Sequence, residues 1–314
     1  MDHKPLVSVI VIFLNAEEFI SEAVESVFAQ TYDNWELMLV NDGSTDASTE
    51  IALRFAEKYS DRVRYLQHEE HQNRGKSASR NLGIRNSKGE YIAFLDADDV
   101  YLPHKLEEQV PLLHAHPEAA MLFGRTWVWY GWTGKPEDIE RDYMTEFPFP
   151  PNTLVVPPTL LIRFLISERY LPCNCSVLVR REIIDRVGGF EESFRKRRDD
   201  MAFNAKVYLE APVLVADGCW DRYRQHPGSS RAVSIAAGQY DSYRAAYLNW
   251  LSGYLSKKGF KDTEVWRVLQ KELWPYRHPS LHRLSKRAQQ FVRNMIWLSI
   301  RIARRTLPVP VYRW

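Results

Sequence analysis

Apolar positions along the first 125 residues alternate between two rhythms. Leu6 to Leu14 is an almost unbroken apolar, β-branched run, the pattern of a parallel strand covered on both faces. From Glu17 to Gln30 the spacing turns helical. Phe19, Ile20, Ala23, Val24, Val27 and Phe28 form one stripe, with Glu18, Glu22 and Glu25 away from it. The alternation continues with a strand over Trp35–Val40, a helix over Asp46–Tyr59, a strand over Val63–Gln67 and a helix over Arg74–Asn86. Tyr91–Leu95 predicts a strand, Pro103–His114 a helix opened by its proline, and Ala119–Phe123 a further strand. Strands and helices in this order predict an α/β fold with a Rossmann-like, mainly parallel sheet. The ligand crevice of such a sheet lies beyond the carboxyl ends of its strands. Asn15, Asp42 and the cluster Asp96 to Asp99 are therefore expected to converge there.

The rhythm breaks between Trp127 and Pro158, where Trp127, Trp129, Tyr130 and Trp132 crowd together and Pro148, Pro150, Pro151, Pro157 and Pro158 interrupt any long element. This stretch reads as an irregular insertion that either shapes an acceptor pocket or packs as an aromatic loop. Regular patterns return at Asn174–Val179, Glu182–Val187 and Met201–Leu209.

Charge changes the picture mainly through its distribution. The net charge of +2 is too small for a general nucleic-acid binder. Yet no Asp or Glu follows Glu272, while nine Arg or Lys residues do, from Arg277 to Arg313. Cys173 and Cys175 are too close for an ordinary structural disulfide, and no second Cys-x-Cys pair completes a metal site, so a reducing compartment is expected. The start of the chain reads as neither a secretory signal nor a transit peptide, and no apolar run reaches membrane-spanning length.

The chemistry-bearing residues sit at the predicted strand ends. Asp96-Ala97-Asp98-Asp99 brings three carboxylates together, a set that repels itself in a dry crevice unless a cation intervenes. Mg²⁺ or Mn²⁺ bridging carboxylates and substrate phosphates answers that repulsion, and an acidic turn capping the next helix is the plainer alternative. Asp42 either accepts hydrogen bonds from a nucleobase or ribose or caps a turn, and Asp46 is better explained as a helix cap. Arg74-Gly-Lys-Ser-Ala-Ser-Arg80 opens a helix whose cations and amino end can face a diphosphate. Its Gly75-Lys76-Ser77 is not a triphosphate loop, because Glu70 stands where that motif needs glycine.

Together these pieces resemble the family 2 glycosyltransferases of the A-type glycosyltransferase fold. The resemblance runs from Val7-Ser-Val-Ile-Val-Ile-Phe-Leu-Asn15 through Val40-Asn-Asp-Gly-Ser-Thr-Asp46 and Ala78-Ser-Arg-Asn-Leu-Gly83 to Gly89-Glu-Tyr-Ile-Ala-Phe-Leu-Asp-Ala-Asp-Asp99. It resumes at Gly188-Gly-Phe-Glu-Glu-Ser-Phe194, Asp199-Asp200 and Tyr223-Arg-Gln-His226, covering about residues 5 to 230 in family order. What it implies is a nucleotide-diphosphate sugar donor, a UDP-sugar by default, and a divalent Mn²⁺ or Mg²⁺. Asp42 looks like the base-binding aspartate, with Phe13 and Asn15 beside the nucleotide and Arg80 near it. Asp96 and Asp98 look like the paired aspartates of the DXD motif, Asp98 as metal ligand and Asp96 toward ribose or sugar. His226 is placed to complete the metal or diphosphate site, or else packs. Asp200, with Asp199 as rival, looks like the base of an inverting transfer. The basic run Arg195 to Arg198 either steers an anionic donor or acceptor or forms a solvated loop.

Departures matter too. The first strand ends Ile12-Phe13-Leu14-Asn15 where many relatives carry a proline or threonine and a tyrosine, and the Gln-x-x-Arg-Trp motif of processive members is absent. The reading is thus an inverting, non-processive transferase acting on a glycan or lipid-linked acceptor in surface polysaccharide or glycoconjugate synthesis. Its rivals are a catalytically silent nucleotide-sugar-binding membrane scaffold and a sugar nucleotidyltransferase, which needs a glycine-rich basic loop where this chain has Asn15-Ala-Glu-Glu. Three parts are expected: a nucleotide-sugar half over 1–118, an acceptor half over 119–235 and a C-terminal helical extension over 236–314. In the extension, Leu284, Ala288, Phe291, Val292, Met295, Leu298 and Ile302 fall near one helical face and cations largely fill the rest. Such a helix suits an anionic membrane surface, placing the protein peripherally at the cytoplasmic face. The competing partner for it is the chain's own domain or, in a homo-oligomer, a second subunit.

Overall fold

The structure, a computed structural model, describes residues 4–168 and 171–306. The expected alternation is present. β1 (Val7–Phe13), α1 (Ile20–Phe28), β2 (Trp35–Asn41), α2 (Ser48–Lys58), β3 (Val63–Gln67), α3 (Lys76–Asn86) and β4 (Tyr91–Asp96) follow one another. A short β5 (Val100–Tyr101), α4 (Lys105–His114) and β6 (Met121–Trp129) come next. The region expected to be irregular holds α5 (Pro136–Ile139), β7 (Tyr143–Met144) and β8 (Thr153–Val155), followed by α6 (Thr159–Ile166). β9 (Leu178–Arg180), α7 (Arg181–Val187), α8 (Asp199–Glu210) and β10 (Val213–Arg224) complete the sheet and its cover. Four helices end the chain: α9 (Ser230–Ala236), α10 (Tyr240–Lys257), α11 (Glu264–Arg277) and α12 (Pro279–Thr306).

The main strand order is β3-β2-β1-β4-β9-β6-β10-β5, with β7 beside β6 and β8 beside β10. β1 pairs in parallel with both β2 and β4, and β2 with β3. β9 runs antiparallel to β4 and β6, so it joins this block to the parallel pair β6–β10. Every residue of β1 and β2 is buried because helices cover both sheet faces. The period of two splits them cleanly. Ile10, Ile12, Met38 and Val40 join one core with α6, α8, α10 and α11, while Val9, Val11, Leu37 and Leu39 join another with α1.

One boundary differs from the sequence reading. β6 runs on through Trp127 to Trp129, because β10 pairs with it as far as Arg224, so the aromatic stretch starts inside the sheet. Helices α10 and α11 contribute Leu248, Leu251, Leu255, Val265, Leu269 and Leu273 to the core shared with α6 and α8. Among the described residues, no helix is long and apolar enough to cross a membrane.

Candidate active site

Register places the site. Ile12 is level with Asp96 and Phe13 with Asn41, so β1, β2 and β4 end together. Past these ends opens a cavity of about 890 Å³, within the usual range for small-molecule sites. Arg80, Asp96, Asp98, Asp199, Asp200 and His226 all line it.

Asp96 closes β4, and α3 answers its charge. Lys76 and Arg80 lie one helical turn apart and so share a face. Arg80 Nη2 donates to Asp96 Oδ1 at 2.6 Å, and Lys76 Nζ lies 3.9 Å from Asp96 Oδ2. Arg80 Nη1 pairs with Asp199, so one buried guanidinium ties β4 to the start of α8. Burial pushes the Asp96 carboxyl up, but Arg80 and Lys76 outweigh it and hold the group below its ordinary value. The close approach of α3 to the 194–195 segment depends on Gly75. Its φ is +92°, and a Cβ there would meet Arg195 backbone at 2.7 Å. The Lys76 N–H and the Ser77 hydroxyl then donate to the carbonyls of Arg195 and Phe194.

Asp98 and Asp99 behave differently from Asp96 and from each other. Asp98 Oδ2 lies 3.1 Å from His226 Nε2, on the cavity wall. The His226 ring is braced against Phe19 at 4.8 Å, and Phe19 in turn meets Trp132 edge-on. Asp99 is buried, accepts from the Arg224 N–H at 2.9 Å and lies 3.1 Å from Cys175 Sγ. Burial first, and then the charges of Asp98 and Asp96, raise its carboxyl well above the ordinary range. Asp96, Asp98 and Asp99 offer oxygens within 4.8 Å of one another. Asp99 is buried and bonded to the Arg224 N–H and Cys175, and Asp96 is held by Arg80, while Asp98 and His226 pair on the cavity wall. One carboxylate and one imidazole, with phosphates and water filling the remaining positions, is a donor set that fits Mn²⁺ or Mg²⁺. All three cysteines are free thiols.

At the amino end of α8 the paired acids divide. Asp199 is buried against Arg80, whereas Asp200 is partly exposed and accepts only from the Met201 N–H, at 2.8 Å. Burial and the neighbouring Asp199 charge raise the Asp200 carboxyl above its ordinary value. That is the direction a proton acceptor working near neutral pH requires.

Phe13, Asn15 and Asp42 stand at the ends of β1 and β2 but outside this cavity lining. Asp42 Oδ1 accepts from the Arg74 and Gly75 N–H groups at 2.8 and 2.9 Å, and His68 Nε2 lies 3.7 Å away. The turn brace weighed from the sequence is thus the interaction present, and the carboxylate shapes the loop that starts α3. Asn15, at φ +50°, accepts from the Thr45 N–H and so links the two strand ends. Asp46 accepts from the Ser48 N–H, bonding the start of α2 as expected, and also from the Glu17 N–H.

Several cavity residues escaped the sequence reading. Lys76 was read only among the cations that open α3, without its pairing to Asp96. Glu168 and Tyr240 had no signal, since they stand next to α6 and at the start of α10, which no motif marks. Tyr130, Trp132, Arg141 and Tyr143 from the expected insertion also line the cavity.

Comparison with known proteins gives the same direction. The family model described as glycosyl transferase family 2 matches residues 8–188. An uncharacterized glycosyltransferase of Rickettsia typhi is 30% identical over 260 residues, covering 81% of this chain and 73% of its own. Among solved structures, Staphylococcus aureus TarS 1–349 in complex with UDP-GlcNAc superposes with a TM-score of 0.56 at 20% identity, over 86% of this chain and 80% of that one. The mannosyltransferase PcManGT from Pyrobaculum calidifontis, in complex with GDP-Man and Mn²⁺, gives 0.60 at 18% identity, over 96% and 81%.

Proposed function

The chain belongs to glycosyl transferase family 2, and on that premise we propose that it transfers a sugar from a nucleotide diphosphate to a glycan or lipid-linked acceptor, with inversion and one transfer per encounter. The observation that carries this reading is the convergence of the Asp98–His226 pair and the Asp199–Asp200 pair on one cavity. Neighbours of the same fold bound to UDP-GlcNAc, and to GDP-Man with Mn²⁺, support a nucleotide-sugar donor and a divalent cation, with a UDP-sugar as the working donor. The nucleotide is assigned to the strand ends at Phe13, Asn15 and Asp42, and the ribose or sugar to Asp96.

In this mechanism Asp98 and His226 would hold the divalent cation. When bound, that ion offsets the charge developing on the departing diphosphate. Asp200 takes the proton from the acceptor hydroxyl. The acceptor oxygen then attacks the anomeric carbon on the face opposite the diphosphate, and the bond to the diphosphate oxygen breaks. Asp199 fixes the start of α8 through Arg80 and so positions Asp200. Lys76 and Arg80 compensate Asp96, which keeps it ionised. The basic helix α12 is assigned to an anionic membrane surface, which would bring the cavity to lipid-linked acceptors.

Calorimetric titration of UDP, GDP and dTDP, each with and without Mn²⁺, tests the site. One nucleotide should bind in a metal-dependent way, and Asp98→Ala should weaken it by at least about tenfold, since even residues one step removed from a metal carry that much. Binding of that nucleotide to Asp98→Ala with unchanged affinity and unchanged Mn²⁺ dependence would remove Asp98 from the metal site.

A further inference from the structure

Asp96 and Lys76 reach the cavity with hydrogen-bonding capacity unspent. Asp96 gives one carboxylate oxygen, Oδ1, to Arg80 Nη2 at 2.6 Å. Its Oδ2 accepts no hydrogen bond among the described residues. What it faces is Lys76 Nζ at 3.9 Å, within ion-pair reach but too far for a direct bond. The Lys76 ammonium likewise donates to nothing among the described residues, although its backbone N–H is tied to the Arg195 carbonyl and fixes the start of α3. Both groups are open. The two side chains are 34% and 26% exposed, both line the cavity, and neither atom is closed off from solvent.

A free carboxylate oxygen beside a free ammonium suits few ligands. A phosphate brings acceptors and negative charge, so it would face Asp96 unfavourably. A metal ion would face Lys76, with Arg80 behind it. A hydroxyl suits both groups because it donates and accepts, and two hydroxyls on neighbouring carbons can take one group each. The pair also stands toward the base. The Arg80 that holds Asp96 reaches Asp199, the neighbour of Asp200. In an inverting displacement the transferred sugar lies between the base and the departing diphosphate, whereas the nucleotide is assigned to the ends of β1 and β2, outside this lining. We infer that Lys76 is a sugar-binding residue, which with Asp96 Oδ2 clips two neighbouring hydroxyls of the transferred sugar and restricts the donor to sugars that keep them free. This assignment rests on the transferase reading above and names the substrate class of that same site.

The test uses the full chain with saturating Mn²⁺. UDP-glucose, UDP-galactose, UDP-N-acetylglucosamine, GDP-mannose and dTDP-glucose are titrated beside UDP, GDP and dTDP into the wild type, K76M and K76Q, with folding checked by circular dichroism. At least one nucleotide-sugar should bind the wild type more tightly than its parent nucleotide. K76M should weaken that nucleotide-sugar by about tenfold, the worth of one hydrogen bond to a charged group, and leave the parent nucleotide unchanged. Deoxy forms of the same sugar locate the clip, since removing one of the two hydroxyls should weaken wild-type binding by a similar factor and K76M little further. K76Q keeps a neutral donor and should lose less than K76M; if K76M does not fold, K76Q carries the test with a severalfold loss. An equal loss for nucleotide-sugar and parent nucleotide would put Lys76 on the diphosphate or ribose and overturn the inference while nucleotide binding stands. Nucleotide-sugar affinity unchanged in K76M, or no gain from the sugar in the wild type, overturns it too. Failure of every nucleotide to bind the wild type overturns the transferase reading itself, and this inference with it.

Discussion

The two acids at the start of α8 are adjacent in sequence and opposite in circumstance. Asp199 is spent on Arg80, and removing its charge would unbalance a buried guanidinium shared with Asp96. Asp200 is raised by burial and by the Asp199 charge, the direction that suits the role of base proposed for it. Asp200→Asn should therefore lower kcat by about 10² to 10⁴ with little change in the melting temperature. Asp199→Asn should lower stability together with activity. The sign of the pH dependence follows from the same shift. Asp200 must be ionised to act, so kcat/KM should fall as pH drops through a carboxyl pKa higher than that of a free aspartate, and that acid limb should vanish in Asp200→Asn. Initial rates from acid to neutral pH on both proteins check it. An unchanged acid limb in the variant would hand the role of base to Asp199.

Among the elements, α12 is the one whose sequence pattern has no counterpart inside the fold. Leu281, Leu284, Val292 and Ile296 are exposed, as are Arg283, Arg287 and Arg293; the side chains of Ala288, Phe291, Leu298 and Ile302 lie outside the described residues. Each cation near an anionic leaflet contributes about 1 kcal/mol, so changing Arg283, Arg287 and Arg293 to glutamine should weaken binding to phosphatidylglycerol vesicles by roughly a hundredfold. Cosedimentation at low and high salt measures this, and wild-type binding should fall as salt screens the surface. Binding that ignores both the substitutions and the salt would assign the helix to a protein partner. The sequence made such elements legible wherever a local rule acts alone. Buried parallel strands read as nearly continuous apolar runs, Leu6 to Leu14 and Trp35 to Val40, and the helices between them by their stripes. It failed at β10 and α6. β10 mixes buried positions with polar ones because it turns from core to cavity, and α6 is apolar almost all round, which erases a stripe. The acids of the site were legible because they stand at strand and helix ends. Glu168 and Tyr240 were not, since tertiary packing alone brings them there.

For the whole molecule, the site is only as well defined as the core behind it. Arg198 is held by Glu168, and Glu168 by Tyr240 and Arg244, so α10 builds part of the cavity wall. The same helix sends Tyr247, Leu248, Leu251 and Leu255 into the core that α6 and α8 share. A chain divided at residue 236 would let the later helices melt separately, whereas this shared packing predicts that they unfold together with the sheet. Leu251 is fully buried at that junction. Leu251→Ala should cost about 2 to 5 kcal/mol, through lost burial and the cavity left behind. Loss of stability should appear in a single transition that shifts as a whole, by calorimetry and by circular dichroism alike. Two resolved transitions, with nucleotide binding surviving the first, would show instead that residues 240–277 fold as a separate unit. The same variant reports on function. If α10 sets the position of Arg198 on the cavity wall, Leu251→Ala at a temperature where it is still folded should also lower kcat/KM.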